Sequence, residues 1–167
     1  MSNMSNLIHS AYLLDSRKRI TRPDGCLHSV RSYNEDGKLL SEEIYREDGS
    51  VEEKKIYHVD YDCLFESIYY NKDGSVQSSC HYSKGEIAGY KIFYPSGQVK
   101  FEETTRLNAW FKPDGKKSSS YYPSGQLHEL KCFNQEEKLT YSMTYSINGN
   151  PQKEYIFSIW GSETIVY

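Results

Sequence analysis

The sequence lacks the motifs by which many catalytic and metal-binding proteins are identified. Its 167 residues contain no glycine-rich phosphate loop, no Gly-x-Ser-x-Gly elbow and no His-Glu-x-x-His pair. The four cysteines, Cys26, Cys63, Cys80 and Cys132, have neither the spacing of a zinc site nor that of a disulfide framework. We therefore predict a protein that is not an enzyme, with no catalytic residues, no metal site and no cofactor.

Long apolar runs are also absent. The stretch Met1–Asn6 is polar and carries no basic residue, and Leu7–Ser10 is too broken for the apolar core of a signal peptide. No run approaches the roughly 20 apolar residues that a membrane-spanning helix needs. These features favour a protein of the reducing cytoplasm that does not bind a membrane.

Aromatic residues and glycines recur with a regular spacing. A Tyr or Phe precedes a glycine by four residues at Tyr33–Gly37, Tyr45–Gly49, Phe93–Gly97 and Tyr121–Gly125, among others. The pattern repeats about every 12 residues, which is typical of a repeat protein. Dipeptides such as Glu-Asp and Pro-Ser before the glycine favour a type I turn closed by a glycine at positive φ. Roughly eight residues then remain in each unit for one strand.

This pattern predicts an all-β fold without helices. We expect about ten to twelve strands in an elongated, twisted and open antiparallel sheet of repeated β-hairpins. The unbroken repeat indicates a single domain over residues 1–167. Alternation along a strand would place the aliphatic residue two positions after the glycine on the same face as the aromatic residue eight positions after it, as in Leu39 and Tyr45. Ladders of such pairs are the expected core.

One segment, residues 97–125, departs from the regular spacing. The glycines at 97, 115 and 125 do not follow the period, and the extra residues are expected to bulge out near Leu107–Trp110, before a turn at Phe111–Gly115. Two interpretations of Trp110 remain open. It either contacts a partner from a protruding loop, as large aromatic residues often do in binding hot spots, or folds back into the core.

Eleven of the 23 acidic residues lie in one segment of the chain. Between Glu35 and Glu66, eleven acidic residues accompany four basic ones, although the net charge of the whole chain is only −3. Such a run is either a solvated face that protects the sheet or a surface that attracts a basic partner. It disfavours nucleic acid as a direct ligand. The candidate partner-binding residues are Glu42, Glu43, Glu47, Asp48, Glu52, Glu53, Asp60, Asp62 and Trp110.

Two repeats resemble a known family. The segments Phe93-Tyr-Pro-Ser-Gly-Gln-Val99 and Tyr121-Tyr-Pro-Ser-Gly-Gln-Leu127 are similar to the MORN-type variant repeats of bacterial toxin-antitoxin antitoxins (YwqK-like) and immunity proteins. This resemblance implies an open sheet of hairpins in an intracellular bacterial protein. It also implies a protein that binds and neutralises a cognate secreted or contact-delivered toxin by covering its active site. The matched residues are structural, so the resemblance assigns no catalytic or binding residue to this chain.

A delivered nuclease is the expected toxin, because a basic nuclease domain would be attracted by an acidic sheet.

Two further classes of function compete with the immunity hypothesis. The alternative is a MORN-like structural or scaffold module that holds another protein. A carbohydrate-active β-protein would use the many tyrosines as sugar platforms, but their regular spacing is better explained by packing. The sequence leaves the oligomeric state open, since both edges of an open sheet can pair.

Overall fold

The computed structural model describes residues 17–107, 113–158 and 161–167, which form thirteen β-strands and no helix. The strands pair antiparallel in chain order, in a sheet that is open. The predicted all-β fold of repeated antiparallel hairpins is confirmed. The strands are β1 (Arg17–Thr21), β2 (Leu27–Tyr33), β3 (Leu39–Tyr45), β4 (Val51–His58), β5 (Cys63–Tyr70), β6 (Val76–Ser83), β7 (Glu86–Phe93), β8 (Val99–Leu107), β9 (Pro113–Tyr121), β10 (Leu127–Phe133), β11 (Leu139–Tyr145), β12 (Pro151–Ser158) and β13 (Gly161–Val166).

The turns follow the chemistry that the sequence predicts. Between β2 and β3, the amide of Gly37 donates to the carbonyl of Asn34 at 3.0 Å, and the amide of Asn34 donates to the carbonyl of Lys38 at 2.9 Å. Gly37 has a φ of 76°, a conformation in which a side chain would be strained. The turn between β10 and β11 has the same hydrogen bonds, with Glu137 at a φ of 59° in place of the glycine.

The chain forms two compact units. The first contains the described residues up to Val76 together with Tyr82–Glu86, and the second contains Gln77–His81 and the described residues from Ile87 onward. This division does not test the prediction of one domain over residues 1–167, which stays a prediction.

In the first unit, strands β2 to β5 align four polar residues in one row. Arg31 lies opposite Glu42, Glu42 opposite Lys55, and Lys55 opposite Ser67. Because directly opposite residues in antiparallel strands share a face, this row brings opposite charges together at the middle of the strands. Its central carboxylate is buried, as is the hydroxyl-bearing residue Ser67 at its end.

In the second unit, serine residues occupy the centres of β9 and β11. Ser118, Ser119 and Ser142 are buried, and Met143 is the buried hydrophobic residue of the described part of the chain. Ser119 lies opposite Leu130, which in turn lies opposite Met143. The most buried positions therefore hold small or flexible side chains in place of the expected aromatic ladders.

A register shift next to the turns of the regular repeats explains this difference. Between Ser32 and Tyr33 the pairing with β3 skips one residue, so that Tyr33 lies opposite Leu39. The same shift places Phe133 opposite Leu139. Aromatic and aliphatic residues therefore pair across the turn, from the end of one strand to the start of the next, and these residues are half-buried.

The irregular segment differs from the prediction in one turn. Gly115, which was expected to close a turn beginning at Phe111, lies inside β9, and Pro113 pairs with Leu107 of β8. Strands β8 and β9 are nine residues long, so longer strands take up part of the extra sequence. Trp110 lies in 108–112, outside the described residues.

Candidate partner-binding surface

The structure divides the eight predicted acidic residues among three places. Successive turns of an antiparallel sheet lie at opposite ends of its strands, and we call these two rows of turns the edges. Residues that are close in sequence can therefore be separated. Glu42, Glu43 and Glu53 lie within strands. Glu47 and Asp48 of the β3–β4 turn, with Glu52 as the second residue of β4, lie at the edge that contains that turn, and Asp60 and Asp62 lie at the opposite edge. The acidic run is thus not one continuous surface.

Glu42 is a buried structural carboxylate. Glu42 is 8% exposed, and its Oε1 accepts hydrogen bonds from the Arg31 Nε at 2.8 Å and from the Ser29 hydroxyl at 3.1 Å. Burial acts to raise the pKa of Glu42, but these hydrogen bonds and the attraction of Arg31 and Lys55 outweigh it, so the pKa lies below its ordinary value. A side chain held in this way is not available to a partner.

The lowered pKa of Glu42 predicts a loss of stability in acid. Since the pKa is lower in the folded than in the unfolded protein, the stabilisation is fully present above the ordinary Glu pKa of about 4.3 and is lost as the pH falls through the folded value. Glu42→Gln is expected to lower the free energy of unfolding at neutral pH by roughly 1 kcal/mol and to flatten its decrease between about pH 5 and pH 3.

Urea unfolding at a series of pH values measures this effect. The control is Glu52→Gln, which changes an exposed carboxylate and is expected to leave the wild-type profile intact. An unchanged acid profile in Glu42→Gln would contradict the assignment of Glu42 as the buried partner of Arg31.

The other two strand carboxylates are also paired. Glu43 accepts a hydrogen bond from the Tyr45 hydroxyl at 2.9 Å and lies 3.2 Å from the Lys54 ammonium group. Glu53 lies 3.5 Å from the Lys55 ammonium group. Cross-strand and same-strand lysines therefore neutralise the acidic residues at the centre of the first unit, and these residues stabilise the sheet.

At the edge that contains the β3–β4 turn, charged residues surround an open cleft of about 450 Å³. Asp48 lies 3.5 Å from Lys72, and its carboxylate accepts hydrogen bonds from the amide and hydroxyl of Ser50. The Ser50 hydrogen bonds, followed by the attraction of Lys72, hold the pKa of Asp48 below its ordinary value. The lining consists of three basic and three acidic residues, which are Arg22, Arg46, Lys72, Glu47, Asp48 and Glu52.

Two arginines of this cleft each bind one backbone carbonyl beside the next turn along the same edge. Arg22 donates from Nη2 to the carbonyl of Tyr45 at 2.6 Å. Arg46 donates from Nη1 to the carbonyl of Val51 at 2.6 Å and from Nη2 to the carbonyl of Tyr70. The bonds to Tyr45 and Tyr70, which we call edge latches, join turns that are two strands apart.

The second unit has edge latches of the same kind, made by tyrosine. The hydroxyl of Tyr94 donates to the carbonyl of Tyr121 at 2.8 Å, and that of Tyr122 donates to the carbonyl of Tyr145 at 2.9 Å. All four latch residues stand three positions before a turn glycine. The sequence reasoning missed them, although long hydrogen-bonding side chains at this position in turns of one edge were a readable signal.

At the opposite edge of the first unit, a loop exposes an aromatic side chain between two acids. Tyr61 is 76% exposed, and its ring centroid lies 4.7 Å from that of His58. Asp60 and Asp62 flank it and are exposed. No ion pair involving Asp60 or Asp62 occurs among the residues that the structure describes. The same holds there for Glu47 and Glu52, so four predicted contact acids remain available for a partner.

Neither a metal cluster nor a membrane-spanning helix is found in the described ranges. No group of three or more His, Cys, Asp or Glu side chains within them could hold a metal ion. Within the same ranges, no helix is long and apolar enough to cross a membrane.

Three segments of the chain match the family described as MORN repeat variant. They are residues 29–47, 90–106 and 115–135, and together they cover less than half of the chain. They cover most of the β2–β3 hairpin of the first unit and most of the β9–β10 hairpin of the second. The chain thus contains repeats of the MORN variant type, as the two Pro-Ser-Gly segments suggest. No curated protein shows significant sequence similarity to it.

Solved structures resemble the chain only distantly. One is of accessory secretory proteins 1, 2 and 3 in Streptococcus pneumoniae, with 16% identity over 64% of this chain and a TM-score of 0.44. Another is of a TarM mutant of S. aureus, with 12% identity over 93% of this chain and a TM-score of 0.20. This chain spans 19% and 22% of the lengths of those two chains.

Proposed function

We propose that the chain is a protein-interaction module that binds a basic partner protein. The presence of MORN variant repeats in three segments supports an interaction module built from repeats. We infer that the partner is basic from the exposed carboxylates at the edges of the first unit that have no ion pair among the described residues. These are Glu47, Glu52, Asp60 and Asp62.

We further propose that this partner is a cognate protein toxin with a basic nuclease domain, so that the chain serves as its immunity protein in the bacterial cytoplasm. An immunity protein needs a stable surface that covers an active site and does not need chemistry of its own. Unpaired acids at two edges would attract a basic cleft and speed association. The resemblance of the Pro-Ser-Gly repeats to bacterial antitoxins supports the same hypothesis.

A MORN-like scaffold is the second candidate. The same three repeat segments support it, because they are typical of a repeated binding surface whatever the partner. A scaffold would bind its partner without neutralising a toxic activity. The two candidates therefore differ in what happens to cells that express the partner alone.

The test begins with the partner itself. Affinity purification from the native organism followed by mass spectrometry identifies it, and its gene is then expressed in a host cell with and without this chain. Growth arrest by the partner alone, relieved by this chain, is the result expected of an immunity protein. Stable binding to a partner that never arrests growth would favour the scaffold.

Charge reversal tests the role of the acidic edges in the same complex. We expect Glu47→Lys, Glu52→Lys, Asp60→Lys and Asp62→Asn together to slow association about tenfold or more at low salt, because exposed charges act mainly on the association rate. Added salt should slow the wild type in the same direction, since the Debye length falls to about 8 Å at physiological ionic strength. Surface plasmon resonance measures both effects.

A matched control uses three exposed acids of the second unit. Asp114, Glu136 and Glu163 are replaced by lysine, which changes the net charge of the chain by a similar amount. Association should stay within about threefold of the wild type if the edges of the first unit are the contact surface. Equal slowing by both sets would show that only the net charge matters, and no slowing by either would place the contact elsewhere.

A further inference from the structure

The loop between β4 and β5 differs from the other described turns of the first unit. Tyr61 stands twelve residues after Gly49, at the position where the repeat has its glycine. The amide of Asp62 donates to the carbonyl of His58 at 3.0 Å, and Asp62, with a φ of 46°, takes the left-handed conformation instead. The loop therefore does without the glycine and presents a large side chain at the tip.

The tip is an exposed aromatic patch. Tyr61 is 76% exposed, although a tyrosine in a repeat could lie against the sheet as the strand-end tyrosines do. The His58 ring lies between it and Phe65, with centroid distances of 4.7 Å to Tyr61 and 6.2 Å to Phe65, which is itself 39% exposed. Clustered exposed aromatic rings are a typical feature of binding hot spots.

The surroundings of this patch fix the charge of its occupant. Asp60 and Asp62 flank Tyr61, and the neighbouring turn adds the exposed acids Glu35 and Asp36. The Lys38 ammonium group donates to the carbonyl of Val59 at 3.1 Å and so joins that turn to the loop. Together, the β2–β3 turn and the loop carry these four carboxylates and one ammonium group, an excess of negative charge that favours a cationic occupant.

We propose that the His58–Phe65 loop is the anchor of partner binding and that it takes an arginine side chain of the partner. This inference rests on the proposed function, because it names the site within the basic-partner interaction. A guanidinium group stacks on the face of an aromatic ring and, at the same time, forms two parallel hydrogen bonds with a carboxylate. Tyr61 and the aspartates on either side of it supply both features at one loop, and lysine would use them less well.

The test uses octa-arginine as the probe and the full chain, labelled with nitrogen-15. In heteronuclear NMR titrations, the amides of the His58–Phe65 loop are expected to shift first and furthest. Tyr61→Ala should weaken octa-arginine binding about fivefold, Tyr61→Phe should bind within about twofold of the wild type, and octa-lysine should bind about threefold more weakly. Because Tyr61 is largely exposed, the melting temperature serves as the control for folding.

The control variant alters acids outside the proposed contact surface. Glu136→Gln combined with Glu163→Gln removes two exposed carboxylates of the second unit and should leave octa-arginine binding within about twofold of the wild type. If this pair weakens binding while Tyr61→Ala does not, or if the cleft residues shift as strongly as the loop, the anchor assignment is overturned. The same Tyr61 variants are then measured with the purified partner.

The purified partner separates failure of this inference from failure of the proposed function. Salt-sensitive binding that Tyr61→Ala leaves unchanged would overturn the anchor and leave the basic-partner function standing. Binding that does not respond to salt or to any acid substitution would overturn both. Loss of binding in Tyr61→Ala with retention in Tyr61→Phe would support both.

Discussion

Replacing Gly115 with alanine is expected to lower the free energy of unfolding by roughly 3 kcal/mol or more. Gly115 lies within β9 at a φ of 102°, where any side chain is strained. A Cβ at this position would overlap the carbonyl oxygen of Phe133 and lie 2.9 Å from backbone atoms of Asn134. Because these obstacles are backbone atoms, no side-chain rotation relieves them, and β9 and β10 must separate locally.

Gly97→Ala is the matched control for this prediction. Gly97 also has a positive φ, 84°, but a Cβ built there meets nothing within 4 Å. It should cost only the conformational strain, about 1 kcal/mol. Urea unfolding of both variants and the wild type gives the comparison. Equal losses would show that the Phe133 carbonyl does not lie over Gly115 and that the pairing of β9 with β10 differs at this end.

The regular part of the fold could be predicted from sequence because its signals are local. A turn such as Tyr33–Gly37 is specified by the residues within it, and the length between two such turns leaves room for one strand. The same reasoning failed at Phe111–Gly115. There a Pro-Asp-Gly triplet has the composition of a turn, but the glycine serves the close approach of another strand, and no residue near it in the sequence reveals that neighbour.

The candidate site was less predictable because it depends on register. A count of charges along the chain predicts a strong negative field over the acidic run. Pairing of the strands, however, places Arg31 and Lys55 directly opposite Glu42, and the sequence does not show this pairing. Alternation of turns between the two edges then separates Asp48 from Asp60, although they are close in sequence. The binding surface that we propose consists of the exposed acids near turns, together with the aromatic residue Tyr61 at the position where the repeat has its glycine.

Arg46→Met is expected to lower the free energy of unfolding by roughly 2 kcal/mol, because it removes charged hydrogen bonds to two backbone carbonyls. Arg46 binds the carbonyl of Val51 within its own hairpin and, through the carbonyl of Tyr70, joins its turn to the end of β5. Lys72→Met is the control, since Lys72 lies in the same cleft and makes an exposed ion pair with Asp48. Its effect should stay within about 0.5 kcal/mol.

A second substitution at the same position tests whether the edge latches are equivalent between repeats. Tyr94 and Tyr122 occupy the corresponding place before their turn glycines and bind the corresponding carbonyls at 2.8 and 2.9 Å. Arg46→Tyr should therefore recover about half or more of the stability that Arg46→Met loses, through one hydroxyl bond worth about 1 kcal/mol. If tyrosine is no better than methionine, the latch depends on the local path of each turn. Recovery would instead mean that one geometric rule, a long donor three residues before the glycine, holds alternate turns together in both units, so that a latch can be exchanged between repeats without changing the pairing of the strands.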